Sequence, residues 1–218
     1  MNRQPLSTRS LAAGSFAGLA AFPLTVVALN LIQHGRYHPL RQAMSELALG
    51  RDGWLMTIAF APMGVGTLLL ALLLLRTAGA LVAPLLLSAA GLLDFVSASF
   101  HTDPGNVTTT MHGRIHNTAG IATFALFVVA IFAATRSFRR HAAWRPFAPL
   151  TLAWAICAVG TFFLIPALGN AHFGLAQRIF VATWLSWSLA AAAFARRLPT
   201  PDDTPVPHQS FEHRAARA

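Results

Sequence analysis

Six apolar stretches, each about 20 residues long, occupy most of this chain and leave only short connections between them. About 20 consecutive apolar residues are needed for a helix to cross the hydrocarbon core of a bilayer. The sequence therefore predicts an all-α, polytopic membrane protein with six transmembrane helices in one bundle. The predicted spans are 11–31, 54–75, 80–100, 115–135, 147–168 and 175–194.

The composition excludes an ordinary soluble domain. Hydrophobic residues make up 55% of the chain and charged residues 11%, whereas roughly a quarter of the residues of a soluble domain carry charge. We assign 11–197 to the transmembrane domain and 1–10 to a cytoplasmic N-terminus. The tail, 198–218, contains several prolines and little apolar surface, and we predict that it is disordered because it cannot bury enough of that surface.

The arginines predict the orientation in the membrane. The formal net charge of +9 is the balance of 16 arginines against 7 Asp and Glu, since the chain contains no lysine. Eleven of the sixteen arginines fall on the side of the N-terminus, and cytoplasmic loops are the ones that carry excess positive charge. We therefore expect a multi-pass protein of the plasma (inner) membrane with both termini cytoplasmic, and no binding to nucleic acid.

The third predicted span carries polar residues at helical spacing. Asp94, Ser97 and His101 are separated by three and four residues, which places them on one face of a helix. An ionisable residue at membrane depth is costly and normally faces the bundle interior or a water-filled cavity. Asp94 is therefore a candidate catalytic residue, and a structural aspartate that bonds to Ser or Thr of another helix is the alternative.

A histidine pair at the start of the fourth span has the spacing of metal ligands. His112 and His116 lie four residues apart, and two His at that spacing can occupy two positions of a tetrahedral Zn²⁺ site. We predict that His101 completes the set, with Asp103 or Asp94 as a ligand or general base and Ser97 bonded to an oxyanion. A polar network without metal is equally consistent with this pattern, and haem is a less favoured cofactor.

Two further candidates lie in the predicted outer loops. Pro39 can open a short interfacial helix, and Ser45 and Glu46 on that helix would reach the mouth of the bundle as acid/base groups or form its solvated face. Arg178, at the start of the sixth span, could bind the phosphate of a lipid headgroup. The alternative for Arg178 is a side chain that extends to ordinary lipid phosphates.

Several of these residues form a familiar order of motifs. The segments MSELALG (44–50), GW (53–54), FHTD (100–103) and HGRIH (112–116) resemble the bacterial and archaeal integral-membrane family catalogued as domain of unknown function 998. That resemblance covers roughly 15–195 and implies a six-helix membrane fold without an established activity. A looser similarity, through the spacing of SASFH (97–101) and of His112 and His116, is to membrane hydrolases of the ceramidase and adiponectin-receptor type.

These observations favour a metal-dependent hydrolase or lipid-modifying enzyme with a site that opens to the outer leaflet. Its substrate would be a membrane lipid or a small molecule. A non-enzymatic sensor, chaperone or small-solute permease, in which the same residues form a polar plug, is the first alternative. A b-type haem protein with axial histidines from two helices is the second.

Overall fold

The computed structural model describes residues 6–198, and these form a bundle of six long helices. All six are long and apolar enough to cross a membrane, which confirms the predicted architecture. Within residues 6–198 there is no β-strand. The helices are α1 (Thr8–Ile32), α2 (Trp54–Ala78), α3 (Val82–Ser99), α4 (Met111–Arg140), α5 (Ala148–Leu168) and α6 (Phe173–Ala195).

Each helix packs against the next one along the chain, and α6 also contacts α1 and α2, which closes the bundle. Because the connections are short, consecutive helices run antiparallel. α1, α3 and α5 therefore end, and α2, α4 and α6 begin, at the end of the bundle away from the N-terminus, which we call the distal end. α5 buries the smallest share of its residues among the six helices.

Glycines let α2 approach its two neighbours closely. A Cβ at Gly18 of α1 would lie 2.5 Å from the Pro62 carbonyl oxygen and 2.9 Å from the Gly66 backbone of α2. On the other side of α2, a Cβ at Gly64 would lie 2.7 Å from the Gly91 carbonyl oxygen of α3. Small residues at such crossings permit the close backbone packing that holds membrane helices together.

The first distal connection folds differently from the predicted interfacial helix. Instead of a helix opened by Pro39, it forms a short 3-10 helix, Met44–Leu49, whose first four residues are all buried. The Tyr37 hydroxyl donates to the carbonyl oxygens of Gln42 (3.0 Å) and Ala43 (2.9 Å), which turns the chain inward before that helix begins. Ser45 and Glu46 consequently lie inside the distal end rather than on a solvated face.

The predicted disordered tail, 198–218, lies outside the described residues except for Leu198.

Candidate functional site

A narrow cavity of about 50 Å³ lies inside the distal half of the bundle, between α1, α2, α3, α4 and α6. We call it the polar cavity. A single water needs roughly 10–15 Å³ of such space, so the polar cavity has room for a few waters or for one polar group of a ligand. Its polar lining residues are Ser45, Asp94, Ser97, His116, Thr123, Gln177 and Trp184.

Three residues that line this cavity each carry a buried polar atom with no hydrogen-bond partner among the described residues. The atoms are Asp94 Oδ2, Thr123 Oγ1 and Trp184 Nε1. Asp94 is 2% exposed, and leaving such a group unpaired in the interior is costly. Because residues with an unpaired carboxylate oxygen, hydroxyl and indole N–H line the same space, the polar cavity is suited to a polar occupant.

His116 lines this space, and the end of α3 fixes which of its ring nitrogens carries the proton. Its Nδ1 lies 3.2 Å from the Ser97 carbonyl oxygen and 2.9 Å from the Phe100 carbonyl oxygen, both at the end of α3. A carbonyl oxygen can only accept, so Nδ1 carries the proton, and Nε2 of the neutral ring is left as an acceptor. His116 is buried, and its ring meets the edge of Phe60 at 5.8 Å between centroids. The carbonyls thus fix a base or metal ligand in one orientation.

A larger groove of about 530 Å³ runs from the polar cavity between α4, α5 and α6, and we call it the apolar groove. The two share Ser45, His116, Gly120, Phe124 and Gln177. The side chains Ile121, Phe162, Phe163, Ile165, Pro166 and Phe173 make most of its remaining wall apolar. Ile121 and Phe163 are 65% and 61% exposed, so the apolar groove opens at the side of the bundle, where lipid surrounds a membrane protein.

The other two predicted zinc ligands, His101 and His112, line neither the polar cavity nor the apolar groove. The rings of His101 and His112 stack with centroids 6.3 Å apart, both residues are exposed, and His112 also contacts Phe100. Within residues 6–198, no three His, Cys, Asp or Glu side chains form a group that could hold a metal ion as they stand. The zinc set of His101, His112 and His116 stays a prediction.

Asp103 is engaged in holding the start of α4. Its carboxylate accepts from the backbone N–H groups of Thr109 (2.7 Å) and Thr110 (2.8 Å) and from the Thr110 hydroxyl (2.7 Å). These bonds, chiefly those from Thr110, lower the pKa of Asp103. Gly113 permits this arrangement, because a Cβ there would lie 2.1 Å from Asp103 Oδ2.

Glu46 joins the first distal loop to the second, which connects α3 to α4. Its Oε1 accepts from the Ala43 N–H (2.9 Å), and its Oε2 accepts from the Gln42 amide (3.2 Å) and from the Gly105 N–H (2.9 Å). The adjacent Ser45 instead lines both the polar cavity and the apolar groove. The structure therefore separates a pair that the sequence treats together, with Ser45 in the site and Glu46 in its scaffold.

Arg178 holds the first distal loop against α6. Its Nη1 donates to the carbonyl oxygens of Pro39 (2.6 Å), Gln42 (3.2 Å) and Gly174 (3.0 Å), and its Nη2 donates to the Tyr37 hydroxyl. Burial raises the pKa of Tyr37, and the Arg178 charge opposes that rise. Binding of phosphate by Arg178 stays a prediction, and in this structure the guanidinium is occupied by the loop.

The residues of this site fall within a recognised family. A family model described as "Protein of unknown function (DUF998)" matches residues 16–194, more than three quarters of the chain. The chain belongs to this family. No curated protein and no solved structure matches the chain. The similarity to hydrolases of the ceramidase and adiponectin-receptor type receives no support from these comparisons.

This DUF998 chain brings together only part of the residue set predicted from its sequence. Asp94, Ser97, His116 and Ser45 line the polar cavity, whereas Asp103, Glu46 and Arg178 bond to the backbone around it. The sequence did not reveal Thr123 and Trp184, each of which looks in the sequence like an ordinary residue of a membrane helix. Only the packing of α4 and α6 around the cavity distinguishes them.

Proposed function

We propose that this DUF998 protein is a membrane enzyme that modifies a lipid-like molecule by acid–base chemistry in the polar cavity. The supporting observation is that the polar cavity and the apolar groove are joined. A polar cavity with His116 and the unpaired Asp94 continues into an apolar groove that opens at the side of the bundle. A hydrocarbon chain in the apolar groove would place the polar end of the same molecule beside His116.

In the proposed reaction, His116 Nε2 takes a proton from a water that attacks an acyl carbonyl carbon. The bond to the leaving oxygen or nitrogen breaks, and His116 returns the proton to the leaving group. The Thr123 hydroxyl and the Trp184 N–H are donors for the negative charge that develops on the carbonyl oxygen. Asp94, if ionised, stabilises the protonated ring, and Ser97 and Ser45 orient the attacking water.

Zinc is a second, separable part of this proposal. His116 Nε2 has the free lone pair that a zinc ligand needs. Phe100, whose carbonyl oxygen accepts from His116, is in ring contact with His112, and His112 stacks on His101. A zinc ion held by these histidines would lower the pKa of its bound water to about 7. A sensor or permease would also make use of a polar cavity, but the laterally open apolar groove favours an enzyme with a lipid substrate.

The test is product formation by the purified full chain in nanodiscs made of lipid extract. Mass spectrometry of the lipids should show conversion by the wild type and a loss of about 100-fold or more in His116→Gln and Asp94→Asn, as expected for removal of a general base. His34→Gln changes an exposed histidine outside both spaces and should leave the rate unchanged. Equal rates in all four proteins would overturn the proposal.

The zinc part is decided by elemental analysis of the same preparations. Wild type should contain about one zinc per chain, and the double variant His112→Ala, His116→Ala should contain none. If the wild type is active without zinc, the zinc part of the proposal is wrong and the acid–base part stands. A Soret band would instead assign the histidines to haem.

A further inference from the structure

We infer that the ligand of this site is a single-chain lipid with an uncharged ester or amide end, of the monoacylglycerol class, rather than a phospholipid or a fatty-acid anion. The inference rests on the proposed function, because it names the substrate class of the same site. It is drawn from the charges that line the polar cavity and the apolar groove, from the unpaired atoms, and from the shape of their junction.

The charged residues that line the two spaces are unfavourable for an anionic ligand. Among the described residues that line the two spaces, Asp94 and His116 are the only ionisable side chains, and none is Arg or Lys. Sites for phosphate and carboxylate groups normally supply Arg or Lys. An anionic headgroup in the polar cavity would also lie beside the buried Asp94, and uncompensated charge in a low dielectric is costly. Arg178 does not line either space and bonds to the loop instead.

The unpaired atoms match a neutral end that both donates and accepts hydrogen bonds. Trp184 Nε1 can only donate, Asp94 Oδ2 accepts when ionised, and Thr123 Oγ1 can do either. An ester of glycerol offers a carbonyl oxygen to the indole and hydroxyl groups to the carboxylate. A bare hydrocarbon end would leave all three atoms unpaired, which is the costly state.

The junction between the two spaces is open at Gly120. Gly120 lies on α4 where the polar cavity meets the apolar groove, and nothing lies within 4 Å of the position that its Cβ would occupy. The absence of a side chain at that point leaves the passage open. One groove of about 530 Å³ is within the usual range for a site that holds one small ligand.

The test uses a monoacylglycerol with a photoreactive diazirine in its acyl chain, bound to the purified full chain in detergent. Unlabelled monopalmitoylglycerol, palmitoyl lysophosphatidic acid and palmitate, which share one acyl chain, compete for labelling. Monopalmitoylglycerol should compete at a concentration about tenfold lower than either anion, a difference of about 1.4 kcal/mol. Labelled peptides should map to α4 and α5.

Two matched glycine variants locate the ligand. Gly120→Leu fills the junction and should lower labelling about tenfold. Gly160→Leu makes the same change in α5 at a glycine that also has open space around its Cβ position but lines neither space, so labelling should be unchanged. If Gly120→Leu does not fold, the competition series in the wild type still decides the ligand class.

The outcomes separate this inference from the proposed function. Competition by lysophosphatidic acid or palmitate at least as strong as by monopalmitoylglycerol overturns the ligand class. Undiminished labelling in a folded Gly120→Leu overturns the location. Labelling as expected, without conversion of the lipid, keeps the ligand class and overturns the enzyme. Conversion of diacyl phospholipids alone keeps the enzyme and overturns the ligand class.

Discussion

Two aspartates at the distal end show how hydrogen bonding decides what a carboxylate can do. Asp103 accepts three bonds from Thr109 and Thr110, and each of its oxygens has a partner. Asp94 is also buried, but its Oδ2 has no partner among the described residues, and the residue lines the polar cavity. The first carboxylate is engaged in the scaffold, and the second is free to meet a ligand.

Asp103 should give the protein an acid-sensitive stability. The bonds from Thr110 and Thr109 lower the folded-state pKa of Asp103, so its contribution is present above its ordinary pKa, about 3.9, and is lost as the pH falls through the lower folded value. Asp103→Asn should lower the thermal midpoint at pH 7, and it should lose less stability than the wild type as the pH falls from about 4 through that lower folded value.

The measurement is thermal unfolding in detergent across that pH range. Asp52→Asn is the matched control, because the Asp52 side chain is 44% exposed and bonded only weakly to Arg51 at 3.5 Å. Identical pH profiles for Asp103→Asn and the wild type would contradict the role assigned to Asp103.

The same two residues mark how far sequence reasoning could go. Helical spacing correctly placed Asp94 and Ser97 on the inward face of α3, because a period of about 3.6 residues is a local property. It was wrong for His101, which lies beyond the end of α3 at Ser99 and is exposed. It could not distinguish Asp94 from Asp103, because the partners of Asp103 depend on the path of the loop before α4. Ser45 and Glu46 were indistinguishable in the sequence for the same reason.

At the scale of elements, the first distal loop is fixed by α6. Besides the bonds from Arg178, the backbone N–H groups of Gly174 and Leu175 donate to the carbonyl oxygens of Arg41 (3.3 Å) and Leu40 (3.0 Å). The Met44 N–H donates to Gln177 Oε1 at 2.8 Å. The sequence predicted an interfacial helix here from its apolar pattern, because partners more than 130 residues away leave no local signal.

Removing the Arg178 guanidinium should release this loop. Arg178→Met leaves the carbonyls of Pro39, Gln42 and Gly174 without that donor, which should lower the free energy of unfolding by about 1–3 kcal/mol. Arg178→Lys should recover only part of it, because an ammonium lacks the planar fork. Limited proteolysis should show faster cleavage in 33–53.

Arg114→Met is the control, because Arg114 is an exposed arginine of the same end of the bundle. Cleavage of Arg178→Met at the wild-type rate would show that the loop is held by other contacts.

At the scale of the whole molecule, the six spans follow from composition, whereas the site does not. Each apolar stretch carries its own signal, so the predicted spans agree with the six helices apart from their ends; α4, at 30 residues, extends the most beyond its prediction. The polar cavity requires residues from five helices and a loop. Contacts between helices, such as that of Gly18 with Gly66, decide which helix faces meet. The sequence alone does not show which residues of two helices lie opposite each other.

The orientation of the bundle is a prediction at this scale. With the exposed Cys157 replaced by Ala, Leu40→Cys in the first distal loop should react with an impermeant thiol reagent in intact cells. Ala142→Cys, exposed in the connection between α4 and α5, should react only after lysis. The opposite pattern would place the distal end, and the proposed site, on the cytoplasmic side.

The glycine contacts of α2 distribute the close packing of the bundle unevenly. Gly66 brings the backbone of α2 against α1, and Gly64 brings it against α3. α5 is the least buried helix and forms one wall of the apolar groove, so we expect it to yield more readily than α1, α2 and α3. For the ligand that we propose, entry along α5 should therefore depend on the lateral pressure of the bilayer, and we expect admission to change with the fluidity of the surrounding membrane.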